Sequence, residues 1–411
     1  MAAAGNVDSE PIKVVLPPAD DWRSVLLLSG AWAMAFSIFS SNVATLTLAV
    51  SATAPAVELE TLPLGLALVM QGVGTMALPA QVRFFGRKYM YVAGAVVGLV
   101  SCGALALGSW LRDFGVQCFG AALLGYSLAH AQNYRFGAIQ AMPSNPPRAI
   151  SAVLFGGVVG ALLGPGAISQ ARDAFSVQYV GVYMCGACLN VVGIALLSFV
   201  KLPDASVHTK EAAERPRYLS QIISQPRCSA AMLALIASYC IMLILMAPVP
   251  AVMNNYYGHS FTASMLTMMA HMFCMFAPSP VTGKVVASIG PMPVILAGMV
   301  FAALTAVVLY LGTGLSYFVV AMLFLGFAWN FMYIGGSALL TTTHTVVEGP
   351  KLQAVTDAMV FLAAASFTLV SMPIVSRIGW LPTQVVCLAM VSTTALIFGA
   401  LWVLDRRRPA A

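Results

Sequence analysis

"PAQVRFFGRKYMYVAG", residues 79–94, crowds Arg83, Arg87 and Lys88 into six positions of a chain that is 60% hydrophobic and only 8% charged. An apolar chain has little reason to cluster cations unless that segment is held in a particular place. Apolar runs flank the cluster on both sides, and about 20 such residues, rising about 1.5 Å each, are enough to cross a bilayer. The stretch is therefore interpreted as a loop between two membrane-crossing helices.

The remainder of the 411 residues has the same character. A water-soluble domain carries about a quarter charged residues, whereas this chain has a mean hydropathy of +0.88. Its apolar runs fall at roughly 25–53, 62–82, 89–110, 114–136, 149–170, 178–200, 228–252, 261–283, 291–312, 315–341, 354–375 and 380–404. The sequence predicts an all-α membrane protein with twelve transmembrane helices.

The longest polar interval, residues 201–227, divides the twelve runs into two sets of six. We therefore predict an N-terminal tail at 1–24, a six-helix bundle at 25–200, a linker at 201–227, a second bundle at 228–404 and a C-terminal tail at 405–411. If the N-terminus is cytosolic, 17 of the 20 lysines and arginines fall on the cytosolic side, and only Arg112, Arg172 and Arg377 fall outside. The positive-inside rule thus predicts cytosolic termini and a cytosolic linker. We expect the plasma membrane rather than an organelle.

The two sets of helices repeat weakly. A shift of 204 residues aligns Gly86 with Gly290, and "AG" at 93–94 with "AG" at 297–298. Together with the matching hydropathy and loop lengths, these identities indicate an internally duplicated transporter fold of six plus six helices.

The opening stretch also resembles a motif of the major facilitator superfamily. In that family the loop between the second and third helices reads G-x-x-x-D-R-x-G-R-K; here "GRK" at 86–88 is kept, and Pro79, Arg83 and Phe84 depart from it. The stretches "NYRFGAIQ" (133–140), "WNFMYIGGSALLTTTH" (329–344) and "KLQAVTDAMVF" (351–361) resemble a bacterial-type subgroup of the same family. The resemblance covers about residues 25–404. It implies two six-helix bundles and a transporter that works by alternating access.

The fifth predicted helix contains "FGGVVGALLGPG", which spaces Gly156, Gly160 and Gly164 by four and is followed by Pro165. This resembles the Gly-Pro motif of the family's fifth helix. Small residues on one helical face let two backbones approach closely in lipid. The face is either a static packing surface or a surface on which the two halves slide, bent at Pro165. We favour a packing role with hinge character.

A gate is suggested by the charge at position 83. In the family, the loop Asp is thought to lock the state closed to the cytosol by facing the start of the eleventh helix. Here Arg83 replaces that acid, and Asp357 falls in the first turn of the predicted eleventh helix, where a carboxylate is favoured. We hypothesise a swapped pair, Asp357 with Arg83 or Arg87, that bridges the two halves when the cytosolic side is closed. The alternative is that Asp357 only caps a helix and that Arg83 only sets topology.

The remaining gating candidates lie beside this loop. Gly86 and Lys88 belong to the same motif, and Arg135 ends the fourth predicted helix. An arginine at that depth can snorkel to the interface, contact the Arg83 loop, or meet an anionic substrate as it leaves. The adjacent Tyr134 resembles the subgroup and favours a gating role for Arg135.

Polar residues inside apolar spans are costly, so we expect them to face a central cavity or one another. The substrate-binding candidates, near the midplane or toward the cytosolic end of the fourth helix, are Asn42, Gln71, His130, Asn133, Tyr239, His271, Trp329 and Asn330. The alternative role for each is a hydrogen bond between helices, worth under about 1 kcal/mol on average.

No Asp or Glu falls in the middle of a predicted span. Proton-coupled transporters usually need a titratable group in the membrane, and His271 is the better placed of the two histidines within spans. Either His271 carries a proton, as in an efflux antiporter, or the protein is an uncoupled facilitator. An uncharged, aromatic-lined cavity favours a neutral or amphiphilic organic solute or drug-like compound.

Other classes of function are less well supported. The chain has no GxxxxGK[ST], no HExxH, no HxxxD and no nucleic-acid motif. A non-transporting receptor or a membrane-embedded enzyme is therefore kept only as an alternative to a transporter. We expect a monomer with a small-molecule substrate and the lipid bilayer as partners, protons as an open second partner, no nucleic acid, and no cofactor or metal.

Overall fold

A computed structural model describes residues 20–144, 146–202, 217–345 and 348–407. The predicted tails at 1–24 and 405–411 and the linker at 201–227 lie largely outside the described residues. Within the described residues the chain is helical and contains no strand.

Twelve long helices carry the fold. The first six are α1 Trp22–Val50, α2 Leu62–Phe85, α3 Arg87–Leu111, α4 Phe114–Gln132, α5 Pro146–Leu162 and α6 Val180–Ser198. The second six are α7 Pro226–Met246, α8 Phe261–Phe276, α9 Pro291–Leu311, α10 Leu315–Thr341, α11 Gly349–Ile378 and α12 Trp380–Arg407.

Short segments extend several of these helices or connect them. They are Val57–Leu59 before α2, Tyr134–Ala141 after α4, Leu163–Ala167 and Ile168–Asp173 after α5, Leu219–Ile223 before α7, Val249–Ala251 and Val252–Tyr256 after α7, and Ser279–Ile289 after α8. The segments Leu163–Ala167 and Val252–Tyr256 are π-helical.

Eleven helices of the described chain are long and apolar enough to cross a membrane. Eleven of the twelve predicted spans correspond to them; the twelfth, at 114–136, is α4 with its short continuation. α4 carries two polar side chains, Gln117 and His130, and both are buried where α4 packs on α2 and α3. The fold is all-α with two six-helix bundles, as the sequence predicts.

The internal repeat is visible at tight turns. Gly86 ends α2 with φ 77° and ψ 160°, and Gly290 ends Ser279–Ile289 with φ 85° and ψ 164°. These backbone angles strain any residue with a Cβ. Gly94 and Gly298, the second aligned pair, lie at equivalent helix crossings. An added Cβ at Gly94 of α3 would overlap His130 of α4, and one at Gly298 of α9 would overlap Met332 of α10.

The bundles meet chiefly through α2 with α11 and α5 with α8. On the side away from Gly86 this interface is closed: Thr47 Oγ1 donates to the Ala247 carbonyl at 3.3 Å, and the Arg172 guanidinium lies 4.7 Å from the Phe261 ring centroid. On the Gly86 side, most of Ser279–Ile289 is exposed. The space between the bundles therefore opens toward the side that carries Gly86.

Candidate functional site

A cavity of about 910 Å³, including the part open to solvent, lies between the bundles. Both bundles supply its wall, through α1, α2, α4 and its continuation, α5, α7, α8, α10 and α11. The lining residues are Trp32, Phe36, Phe39, Val43, Leu68, Gln71, Leu128, Ala131, Gln132, Arg135, Val153, Leu154, Tyr239, Met242, Leu243, Met246, Met272, Met275, Phe276, Trp329, Tyr333 and Phe361. Its mostly apolar wall with few polar groups is typical of small-molecule sites.

A continuous aromatic wall crosses from one bundle to the other. The rings of Trp329 and Tyr333 stack with centroids 4.6 Å apart and an interplanar angle of 11°. Phe276 lies 5.7 Å from Trp329 and 4.8 Å from Phe36 of the other bundle. Tyr239 packs edge-on against Trp329, with centroids 5.6 Å apart. Such a wall offers flat, polarisable faces to an aromatic solute.

Four lining residues carry buried N–H donors without a hydrogen-bond partner. They are the Trp32 and Trp329 indole nitrogens, Gln71 Nε2 and Arg135 Nε. Leaving a buried donor unpaired costs about 1–3 kcal/mol. The cavity wall thus holds donor capacity that a ligand with carbonyl or ring-nitrogen acceptors could use after small side-chain rotations.

One ion pair joins the bundles beside the cavity. Arg135 Nη2 lies 3.2 Å from Asp357 Oδ2, and the two side chains are 22% and 27% exposed. In the described conformation Asp357 does not pair with Arg83 or Arg87: Arg83 is exposed at the end of α2, and Arg87 donates to Asn133 Oδ1 at 3.3 Å. The swapped pair is expected only in the state closed to the cytosol, so it stays a prediction for that state. Asp357 also lies deeper than predicted, because α11 begins at Gly349 and places it in the third turn.

The carboxylate at the start of α11 is instead Glu348. Arg217 donates to it from the backbone N–H at 2.9 Å and from the guanidinium, with Nε 2.8 Å from Oε1 and Nη2 2.7 Å from Oε2. The Thr345 N–H adds a bond of 2.9 Å. The hydrogen bonds from Arg217 and Thr345 hold the pKa of Glu348 well below its ordinary value. This contact ties the end of the linker to the second bundle.

Three of the eight predicted substrate-binding residues line the cavity: Gln71, Tyr239 and Trp329. The other five lie in helix contacts. The two histidines among them point at neighbouring helices. His271 is fully buried, with Nδ1 2.9 Å from the Met322 carbonyl of α10. His130 places Nε2 2.7 Å from Gln81 Oε1 of α2.

The three asparagines also make their hydrogen bonds away from the cavity, although Asn42 Oδ1 is buried without a partner. Asn42 donates to the Ile38 carbonyl of its own helix at 2.8 Å. Asn330 donates to the Met275 carbonyl at 2.7 Å and accepts from Thr282 at 2.5 Å. The backbone carbonyl of Asn133 accepts from the Tyr91 hydroxyl at 2.8 Å. A polar side chain in an apolar helix reaches a nearby backbone carbonyl as readily as a cavity, which is why depth alone misplaced these residues.

The glycines of α5 pack against α1 of the same bundle. A Cβ at Gly160 would lie 2.9 Å from the Ser37 nitrogen, and one at Gly164 would lie 2.6 Å from the Ser37 carbonyl oxygen. Ser40 Oγ donates to the Gly160 carbonyl at 2.8 Å, and Gly156 similarly has no room for a side chain beside Ser29. In the described conformation this face therefore packs within the first bundle and does not lie between the halves, and its hinge character stays a prediction.

Pro165 follows this face and lies in the π-helical turn Leu163–Ala167. The regular α-helix ends at Leu162, just before it, because proline has no N–H to donate along the helix. The surface of α5 that meets the other bundle is different: an added Cβ at Gly166 would lie 3.1 Å from Met269 Sδ.

Comparison with known proteins agrees with this architecture. Residues 24–349 match the sequence model of the Major Facilitator Superfamily. The chain belongs to this superfamily. The family that the sequence motifs resemble is thereby confirmed, and the protein is a membrane transporter of that family with a small-molecule substrate.

Among curated superfamily members, the chain is 32% identical over 340 residues to the riboflavin transporter RfnT of Brucella anthropi, which covers 81% of this chain and 85% of RfnT. It is 24% identical to the uncharacterized transporter YddS of Bacillus subtilis, over 74% of each chain. Among solved structures, it resembles the nucleoside transporter NupG with a TM-score of 0.70 and 13% identity, covering 94% of this chain and 100% of NupG. An auto-inhibited peptide transporter gives a TM-score of 0.65 at 12% identity over 95% and 98% of the two chains.

Proposed function

We propose that this superfamily member transports a flat, uncharged heteroaromatic solute of the riboflavin type. The observation that carries the proposal is the stacked pair of Trp329 and Tyr333, with centroids 4.6 Å apart, inside the central cavity. Riboflavin has three fused rings with carbonyl and ring-nitrogen acceptors and an uncharged polyol chain. The 32% identity to a riboflavin transporter over most of both chains supports the same class of solute.

The polar groups of the wall suit such a solute. A ring system that packs on Trp329 would present its acceptors to unpaired donors, and two uncharged ones, Gln71 Nε2 and the Trp32 indole N–H, lie on the opposite bundle. The methionines of α7 and α8 supply a deformable apolar surface for the remainder of the ring. Binding therefore uses residues of both bundles, as an alternating-access transporter requires.

We propose that the side bearing Gly86 is cytosolic, since it carries most of the lysines and arginines. The described conformation then opens to the cytosol, with both termini cytosolic in a plasma membrane. Outward opening would require α2 to separate from α11, where Gly65 meets Leu369, and Arg172 to leave Phe261. In this scheme the protein acts as a monomer whose bundles, 25–200 and 228–404, rock about the cavity.

The motif loop would act on the contact between the bundles through the end of α4. Arg87 donates to Asn133 Oδ1, and the Tyr91 hydroxyl donates to the Asn133 carbonyl. Asn133 lies two residues before Arg135, which contacts Asp357 of the other bundle. We infer that this chain of contacts couples movement of the loop to the contact between the bundles.

Flavin fluorescence tests the proposal, because stacking on an aromatic side chain quenches it. Purified protein in detergent should quench riboflavin saturably. Trp329→Leu should weaken binding by roughly 5–150-fold, corresponding to the loss of about 1–3 kcal/mol of stacking. Trp110→Leu is the matched control, because Trp110 is 56% exposed on α3 and does not line the cavity. Absence of saturable quenching by the unaltered protein, or equal losses in both variants, would contradict the proposal.

A further inference from the structure

We propose that Asp357 determines charge selectivity: by neutralising Arg135, it makes the cavity reject anionic aromatic solutes, such as a phosphorylated flavin, while it admits the uncharged form. The inference deepens the proposed function and rests on it. It assigns a role to a contact that the binding of an uncharged ring does not itself require.

Arg135 is the one charged residue among the described lining residues of the cavity. A lone guanidinium in a partly desolvated site would favour carboxylates and phosphates strongly, because it offers several donors in a planar fork. A transporter for an uncharged solute would then bind carboxylates and phosphates in preference to its substrate. The presence of Arg135 in the wall therefore needs a compensating group.

Asp357 supplies that compensation from the opposite bundle. Its Oδ2 lies 3.2 Å from Arg135 Nη2, and about a quarter of each side chain is exposed. The pair is therefore not freely solvated, and Arg135 is the member of it that lines the cavity. An incoming anion would have to displace Asp357 or approach its negative charge, and close like charges repel more strongly in a partly buried site than in water.

Asp357 lies beside the aromatic wall, near Tyr239 and Tyr333. Phe361, one helical turn further along α11, lines the cavity and lies 5.6 Å from Tyr239, centroid to centroid. The hydroxyl of Tyr333 also neighbours the Arg135 guanidinium. The carboxylate is thus held at the edge of the surface on which we place the ring.

Other cations of the described chain do not offer an anion the same position. Arg87 is engaged with Asn133, and Arg83 and Lys88 lie outside the cavity lining. The guanidinium of Arg135 is therefore the group that an anionic substituent would reach first. Removing the charge of Asp357 should expose it.

The test compares uncharged and anionic members of two ligand pairs. Riboflavin and its 5′-phosphate are titrated by flavin fluorescence; 2-naphthylmethanol and 2-naphthoate are titrated by quenching of tryptophan fluorescence. Asp357→Asn should bind the anionic member of each pair at least about tenfold more tightly than the unaltered protein, a gain of about 1.4 kcal/mol in binding free energy. The uncharged member should change by less than about threefold. Asp357→Ser, which cannot mimic the planar carboxylate, should give the same selectivity change.

Two controls assign the effect to the pair. Asp405→Asn removes the same charge near the end of α12, outside the cavity lining, and should leave selectivity unchanged. Arg135→Gln combined with Asp357→Asn should abolish the gain for anions. The proposal is overturned if Asp357→Asn gives no gain for the anionic members, or if the gain survives the double substitution. The naphthalene pair distinguishes failure of this inference from failure of the proposed function. If riboflavin does not bind, the preference for the uncharged ligand can still be measured with the naphthalene pair.

Discussion

Gly65→Val is expected to shift the transporter away from the described conformation. Gly65 lies on α2 where it meets α11, and an added Cβ would be 2.6 Å from Leu369 Cγ, closer than a real Cβ contact. Overfilling a packed contact costs about 1–3 kcal/mol. The contact belongs to the closed side of the interface, so this cost should raise the ratio of open to closed states on that side by roughly 5–150-fold.

The assay measures opening through a reporter thiol. Thr47→Cys places a thiol where Thr47 is 1% exposed and touches Ala247 of the other bundle, in a background that lacks the exposed Cys188 and the half-buried Cys118 and Cys185. Labelling by a membrane-impermeant maleimide should be faster with Gly65→Val than without it.

Gly103→Val is the matched control, because an added Cβ at Gly103 has no neighbour within 4 Å. It should label at the parent rate. If Gly65→Val labels no faster than the parent, or if Gly103→Val accelerates labelling equally, the closed side does not depend on the fit of α2 against α11 and the reasoning is refuted.

Three further predictions concern packing, pH and coupling. Gly160→Leu should destabilise the first bundle by several kcal/mol, since even a Cβ at Gly160 would lie 2.9 Å from Phe36 Cδ1. Thermal unfolding in detergent measures this loss of stability. In the folded protein the pKa of Glu348 is lowered, so its interaction with Arg217 contributes its full stabilisation above about pH 4.5, the value of an unfolded Glu. This contribution declines as the pH falls from there toward the lowered pKa of the folded state. The stability of Glu348→Gln should therefore change less than that of the unaltered protein between about pH 6 and 3.5. His271→Gln should leave any pH-gradient dependence of uptake unchanged while it lowers thermal stability, because the ring is fully buried between α8 and α10.

Each of these has a contrary outcome, and the first two have a matched control. Gly399→Leu adds bulk on α12 where a Cβ meets nothing within 4 Å, and a drop in stability equal to that of Gly160→Leu would remove the α1–α5 explanation. Asp405→Asn should keep the acid sensitivity that Glu348→Gln removes; sensitivity retained in Glu348→Gln would show that another group is responsible. Loss of gradient dependence in His271→Gln would restore that histidine as a proton carrier.

The fold was largely predictable because its signals are local. Runs of apolar residues identify spans, and the equivalent turns at Gly86 and Gly290 depend on a backbone conformation that glycine adopts without strain. The spacing of Gly156, Gly160 and Gly164 indicated close helix packing. It did not identify the partner helix, because both α1 of the same bundle and the other bundle run beside α5.

The site was less predictable because it depends on the rotation of each helix. Asp357 and Arg135 are 222 positions apart in sequence, and their contact follows from the crossing of two bundles. A signal for the wall was nevertheless present: Trp32, Phe36 and Phe39 recur at helical spacing on α1, and all three line the cavity. These three side chains are apolar and so do not belong to the polar residues from which the sequence predicts the site.

The most direct test of the account is riboflavin uptake into proteoliposomes, measured as exchange of labelled riboflavin for an unlabelled internal pool. The account predicts saturable exchange that Trp329→Leu reduces strongly and that Trp110→Leu leaves intact. Exchange no greater than in protein-free liposomes, or exchange that is indifferent to Trp329, would contradict the claim that a flat ring crosses the membrane through this aromatic cavity.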